Sequence, residues 1–177
     1  MNTSSIAVGV VALVLGLLGG YLVWGNNPID QHFIVQMIPH HEGAIKMAKV
    51  ALERSKRPEI LSLANGIIEA QESENRDMRS WYQSWFGSAP PEGGMGMMHM
   101  DGMSGDTAVL AGVSTSEFDR EFIEQMIPHH EMAIMMAQML QASTQRSEMK
   151  ELSDNIITSQ SREIDMMRGW LTSWYGE

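Results

Sequence analysis

Two adjacent histidines lie inside a seven-residue stretch that this chain contains twice. The residues QMIPHHE occupy positions 36–42 and recur at positions 125–131. The repeated pairs are His40 with His41 and His129 with His130. In each copy a methionine stands three residues before the first histidine. Imidazole nitrogens and thioether sulfurs suit Cu(I) better than they suit magnesium or calcium. The stretch therefore predicts a soft-metal site, with duplicated packing residues as the alternative.

A helical wheel places both histidines of each copy on the core-facing side. At 100° per residue they share an arc of about 120° with the apolar positions Phe33 and Ile34. A histidine on that side needs a hydrogen-bond partner, a metal or water. We therefore predict that the histidines converge as metal ligands, the alternative being core histidines satisfied by hydrogen bonds. The predicted ligands are Met37, His40, His41 and Met47, then Met126, His129, His130 and Met136.

Glutamates near these histidines are predicted to support the site and not to bind the metal. Glu74 and Glu163 lie on the inward side of a later helix, next to Gln71 and Gln160. Buried polar groups need partners, so these side chains are expected to orient the imidazole rings. The two glutamates that directly follow the histidine pairs point about 100° away. They are expected to be solvated or to support the site indirectly, and not to be ligands.

Residues 88–118, between the two copies, hold a second group of soft donors. The donors predicted there are Met97, Met98, His99, Met100 and Met103. Because glycine and proline surround them, hydrophobic packing does not explain the methionines, and the segment is predicted to be largely irregular. A flexible thioether array suits Cu(I) or Ag(I). The alternative is a low-complexity linker with incidental methionines.

The chain is a tandem duplication. Residues 30–87 align without a gap to residues 119–176, and 27 of these 58 positions are identical at a constant offset of 89. Each copy has two stretches with apolar residues at three- and four-residue steps and a glycine at its end. We predict an all-α fold, an antiparallel four-helix bundle formed by two duplicated helical hairpins. Pro39 and Pro128 would either kink the first helix of each copy or begin it.

Residues 1–25 are predicted to be a transmembrane anchor or a signal segment. No charged side chain occurs in the first 24 residues, and Ile6–Trp24 is almost wholly apolar. A helix of that length spans roughly a bilayer core. A retained N-terminal membrane helix is the favoured reading, so the protein is expected to be periplasmic or otherwise extracytoplasmic. The absence of cysteine fits such a compartment, where thiols are prone to oxidation.

Composition narrows the classes of function. The net charge is −10 with only 12 Lys and Arg, so no basic surface is available for nucleic acid. Seventeen methionines without a cysteine again favour a soft monovalent metal. Di-iron bundles use Glu-x-x-His pairs, and the sequence contains none. A copper-dependent oxidase and a metal-free structural or sensing bundle at the membrane remain as alternatives.

The twin motif M-I-P-H-H-E-x-A-I-x-M-A, followed by a helix ending M-R-x-W-x-x-S-W, resembles domain-of-unknown-function family 305. The resemblance covers residues 30–176 and implies an exported helical bundle of the broad ferritin-like group. It further implies a protein that binds Cu(I), with Ag(I) and Cu(II) as further ions, in copper resistance outside the cytoplasm. Because no obvious nucleophile or general base accompanies the thioethers and imidazoles, we predict that the protein buffers or sequesters copper and is not an enzyme. The implied ligands are those named above from the two copies and the linker. Met78 and Met167 are implied additions.

Overall fold

The computed structural model describes residues 27–92 and 107–176, and over these residues the fold is an all-helical bundle, as predicted. The helices are α1 (Pro28–Arg54), α2 (Pro58–Phe86), α3 (Thr107–Gly112), α4 (Phe118–Gln141) and α5 (Ser147–Tyr175). None of these described helices is long and apolar enough to cross a membrane. The predicted anchor within residues 1–25 lies outside the described residues. The predicted linker donors at 97–100 and 103 also lie outside them.

Helices α1 and α2 form one antiparallel hairpin, and α4 and α5 form the other. Along α1 the ion-pair partners on α2 run backwards, with Glu42 facing Arg79 and Lys49 facing Glu72. Local sequence determines where the helices end. The side chain of Asn27 accepts a hydrogen bond from the backbone of residue 29, and a proline opens α2 as its first residue. Gly87 and Gly176 end α2 and α5 with φ of 75° and 79°, a conformation that glycine adopts without steric cost.

The two prolines of the repeated motif lie inside long helices. α1 begins at Pro28 and continues through Pro39, and α4 begins at Phe118 and continues through Pro128. The question left open by the sequence is thereby answered, because neither proline begins its helix. Each proline lacks a backbone N–H and therefore removes one hydrogen bond just before the histidine pair.

The two hairpins meet mainly through α1 and α4, and they do so reciprocally. One buried cluster joins Ala44 and Ala48 of α1 to Phe122 and Ile123 of α4. The other cluster joins the same repeat positions with the helices exchanged: Phe33 and Ile34 of α1 with Ala133 and Ala137 of α4. This exchange defines a pseudo-twofold axis through the contact. The alanines matter because their small side chains leave room for the large apolar residues of the opposite helix.

The segment between the hairpins is more ordered near its end than predicted. It contains helix α3, whose Leu110 is fully buried in the first cluster. The residue before α4 is Glu117, and no side-chain hydrogen bond caps the helix.

Arg54 fastens α3 to the end of α1, and its removal should loosen α3. The guanidinium donates hydrogen bonds to the carbonyl oxygens of Leu110 (2.7 Å), Ala111 (2.6 Å) and Val113 (2.6 Å). These carbonyls are at the end of α3, where helical partners are missing. We expect Arg54→Ala to destabilise the protein by about 2 kcal/mol, because hydrogen bonds to a charged group are lost. Hydrogen exchange at residues 107–117 should accelerate.

Arg54→Lys is the matched variant, since it keeps the charge but cannot present several N–H groups in a fork. It should recover only part of the lost protection. Unchanged exchange at residues 107–117 in Arg54→Ala would contradict the assigned role.

Candidate metal centre

Two histidines from different repeats meet at the pseudo-twofold axis. The rings of His40 and His129 are stacked, with centroids 3.7 Å apart and planes inclined by 19°. Both side chains are almost fully buried, at 1% and 3% exposure. The Nε2 atom of His40 lies 3.1 Å from the backbone carbonyl oxygen of His129. Because a carbonyl only accepts hydrogen bonds, this contact places the proton of His40 on Nε2.

The other two histidines turn toward the second helix of their own hairpin. His41 Nε2 lies 2.7 Å from Glu74 Oε2, and His130 Nε2 lies 2.6 Å from Glu163 Oε2. Both imidazoles are fully buried, whereas each carboxylate is 17% exposed. All four histidines face the interior, as the wheel predicted, but only His40 and His129 come together across the axis. The glutamates occupy the ring-orienting position expected from the sequence.

This arrangement leaves one buried ring nitrogen without a partner on each of two histidines in the described part of the chain. In a neutral imidazole the Nε2–H donates to the carboxylate, so Nδ1 carries the free electron pair. The Nδ1 atoms of His41 and His130 are buried and have no hydrogen-bond partner within residues 27–92 and 107–176. Metal-binding histidines commonly donate their other N–H to a carboxylate, which fixes the ring and raises its basicity. The two histidine–glutamate pairs therefore have the form of imidazoles prepared for a metal.

Buried methionines belong to the two apolar clusters that lie before and after His40 along α1. Met37 and Met78 belong to the buried cluster before His40, and Met126 and Met167 belong to the cluster after it. Each of these four side chains has no exposed surface. The thioether sulfur is a soft ligand, so this buried environment supplies donors of the class that Cu(I) prefers.

The remaining predicted methionines are not equivalent. Met47 is fully buried, but its counterpart Met136 is half-buried at the edge of the second cluster. Met136 also lines a surface groove together with His32 and Met139, neither of which was among the predicted ligands. A difference between the two copies could have drawn attention to them. Met139 stands where the first copy has Val50, and His32 stands where the second copy has Glu121.

Other polar groups around the histidines divide into buried and exposed sets. Gln71 and Gln160 are each 3% exposed, and their Oε1 atoms lack a hydrogen-bond partner in the part of the chain that the structure describes. Glu42 and Glu131 form half-exposed ion pairs with arginines at 2.6 Å, so their expected solvent-facing position is found. Among the described residues, no group of three or more His, Asp or Glu side chains is placed to hold a metal ion.

Comparison with known proteins identifies the family. A protein-family model described as a domain of unknown function (DUF305) matches residues 30–176. The chain belongs to this family. A crystallised family fragment from Deinococcus radiodurans is 28% identical, with a TM-score of 0.70 over 83% of this chain and 97% of that one. An uncharacterized protein of Acanthamoeba polyphaga mimivirus is 43% identical over 51 residues, which is 29% of this chain. The match spans about a third (34%) of the viral protein.

Higher identity is found with CopM, which has been solved with metals bound. Its Cu(II)-bound form is 50% identical to this chain, with a TM-score of 0.76 over 82% of this chain and 97% of that one. Its Cu(I)-bound form gives 47% identity and a TM-score of 0.73, with the same coverage of both chains. A silver-bound form gives 46% identity and a TM-score of 0.73 over 82% of this chain and 96% of that one. These likenesses indicate a copper-related protein.

Proposed function

We propose that this protein binds Cu(I) through its buried histidines and methionines, and buffers or sequesters the metal outside the cytoplasm. Ag(I) and Cu(II) are the further ions expected to bind. The observation that carries the proposal is the pair of buried Nδ1 atoms of His41 and His130, which have no hydrogen-bond partner among the described residues and belong to rings anchored by a carboxylate. A buried polar atom without a partner costs free energy, and a bound metal would remove that cost.

The donor set favours a soft metal. Fully buried methionines, including Met37 and Met126, lie in the two apolar clusters that flank the histidines. Thioethers bind Cu(I) and Ag(I) well and bind hard cations poorly. The imidazoles also suit Cu(II). Cu(II) would therefore bind mainly to the histidines, whereas Cu(I) would bind to both histidines and methionines. Metal-bound structures of CopM, at 46–50% identity, support the same classes of ion for this chain.

The linker donors form the second part of the proposal. The predicted donors there would add soft ligands to the buried set; they are Met97, Met98, His99, Met100 and Met103. The proposed location outside the cytoplasm rests on the apolar N-terminal stretch and on the absence of cysteine. The proposed division of the chain is an N-terminal segment (1–25), two hairpin repeats (30–87 and 119–176) and the linker between them (88–118).

The test is titration of the protein with Cu(I) in the presence of a competing chelator. Tight binding of Cu(I) and Ag(I), without oxygen consumption, is the expected result. Sustained oxygen uptake with Cu(I) would instead identify an oxidase. Failure to bind either ion would leave the histidines as core residues and the protein as a structural or sensing bundle.

The histidine–glutamate pairs give a sharper prediction. Replacing both carboxylates, in Glu74→Gln with Glu163→Gln, should lower Cu(I) affinity by about 10–100-fold, because the rings lose the groups that orient them and raise their basicity. The same chelator competition measures the change. Glu72→Gln is the matched control for the single variant Glu74→Gln, since Glu72 lies on the same helix as Glu74 and pairs with Lys49 at the surface. An equal loss in the control would mean that net charge, and not ring orientation, governs binding.

A further inference from the structure

A surface groove lies between the start of α1 and the end of α4, away from the stacked histidines. It encloses about 610 Å³ and is lined by His32 and Gln36 of α1 and by Met136 and Met139 of α4. His32 is exposed, and Met139 is 66% exposed although it is a large apolar side chain. The groove also includes apolar wall residues such as Ile29 and Leu140.

The helix geometry places His32 and Met136 at similar distances from the histidine stack, measured along α1 and α4. Because α1 and α4 run antiparallel across the axis, residues before His40 face residues after His129. His32 stands eight residues before His40, and Met136 stands seven residues after His129. At 1.5 Å per residue both lie about 11–12 Å along their helices from the histidine stack. Met139 follows Met136 by three residues and so shares its face of α4.

The pseudo-twofold counterpart of this groove is covered. There the positions equivalent to Met136 and Leu140 are Met47 and Ala51, which lie in a buried cluster with Leu110 of α3. Arg54 holds α3 over this position through its hydrogen bonds to the end of the helix. In the described part of the chain, no corresponding helix covers the groove of Met136.

Two of the differences between the open groove and its covered counterpart add soft or borderline donors. Met139 replaces Val50, and His32 replaces Glu121, so the open side has gained a thioether and an imidazole. The remaining donor, Met136, corresponds to Met47, so both sides have a methionine at this position. The exposed side is thus the side that carries three soft or borderline donors.

We propose that His32, Met136 and Met139 form a surface site for a soft monovalent metal ion, Cu(I) or Ag(I). Two thioethers and one imidazole provide three ligands, and such ions accept that number and a loose geometry. The inference deepens the proposed function and rests on it. Its consequence concerns exchange: the histidine stack is almost fully buried, whereas an ion in the groove is accessible to a donor or acceptor molecule.

The experiment follows the methyl groups of the methionines by NMR while Ag(I) is added to the full chain. The signals of Met136 and Met139 are expected to shift in a saturable step of their own. The double variant His32→Ala with Met139→Leu should weaken that step at least 10-fold, as seen at Met136, and leave the step at the buried methionines unchanged. Met135→Leu is the matched control, since Met135 is 53% exposed on α4 but does not line the groove.

The outcomes separate the two proposals. Shifts at Met37 and Met126 without shifts at the groove methionines would overturn the surface site and leave the buried site standing. No shift at any methionine would overturn both. Equal shifts at Met135 and Met166, another exposed methionine, would show general thioether affinity and would also overturn the groove.

Discussion

Replacing all four motif histidines with alanine is expected to lower Cu(I) affinity by at least about 100-fold. The substituted residues are His40, His41, His129 and His130. The reason is that loss of an orienting group alone costs about 10–100-fold, and here the nitrogen donors themselves are removed. Chelator competition measures the affinity, and circular dichroism reports whether the helices persist.

Two further variants keep this prediction independent of folding. His41→Gln with His130→Gln retains an N–H that can donate to Glu74 or Glu163, but it removes the Nδ1 lone pair. It should also bind Cu(I) weakly while melting close to wild type. A chain with linker methionines 97, 98, 100 and 103 changed to leucine tests the other ligand set. Loss of tight binding only in that chain would assign the metal to the linker and packing to the histidines.

Arg146→Ala is expected to destabilise the protein by about 3 kcal/mol at neutral pH, because it leaves the carboxylate of Asp30 buried without its cation. Asp30 has no exposed surface, and one of its oxygens lies 3.3 Å from Arg146 Nε. The guanidinium also lies over the ring of Trp85, 3.9 Å from its centroid. Chemical denaturation measures the loss.

The duplication supplies the control for this prediction. Arg57 and Asp119 form the equivalent pair at the same 3.3 Å, and Arg57 lies 4.1 Å over Trp174. These side chains are 42% and 14% exposed, compared with 20% and 0% for Arg146 and Asp30. Arg57→Ala should therefore cost only about 1 kcal/mol, the upper end of the range for exposed pairs. Equal costs in the two variants would contradict the argument from burial.

The pH dependence of the free energy of unfolding provides a second test of the buried pair of Asp30 and Arg146. Burial, the largest influence, raises the pKa of Asp30 above its ordinary value of 3.8, against the opposing effects of Thr144 and Arg146. The folded protein thus binds this proton more tightly than the unfolded chain. Stability from this group is complete below pH 3.8 and is lost as pH rises through the raised pKa. Asp30→Asn should remove this component of the slope. In the Arg146→Ala background it should also restore part of the lost stability.

Sequence periodicity could predict the helices and their buried faces because each helix has one dominant apolar side. The spacing of Phe33, Ile34 and Met37 predicts the core side of α1, and all three are buried. Pro58 and Gly87 mark the start and the end of α2, since their backbone preferences are local. The offset of 89 predicts equivalent helices, which the structure shows at equivalent positions.

The partners of the histidines could not be predicted in the same way. α1 packs against both α2 and α4, so its core side faces two neighbours at once. His40 and His41 differ by about 100° around the helix, and this difference decides which neighbour each ring meets. A wheel shows that both rings point inward but does not contain the positions of the other helices. The unequal burial of Met47 and Met136 has the same origin, because the cover over Met47 comes from α3.

The reciprocal contact between α1 and α4 has a consequence for how such a chain could arise. A surface that binds its own pseudo-equivalent is self-complementary, so two separate hairpins carrying it would associate as a symmetric dimer. In that dimer every residue would occur twice, and a cover over one groove would require the same cover over the other. Joining the hairpins in one polypeptide removes this requirement. Only the fused chain can bury Met47 beneath α3 and keep Met136 at the surface.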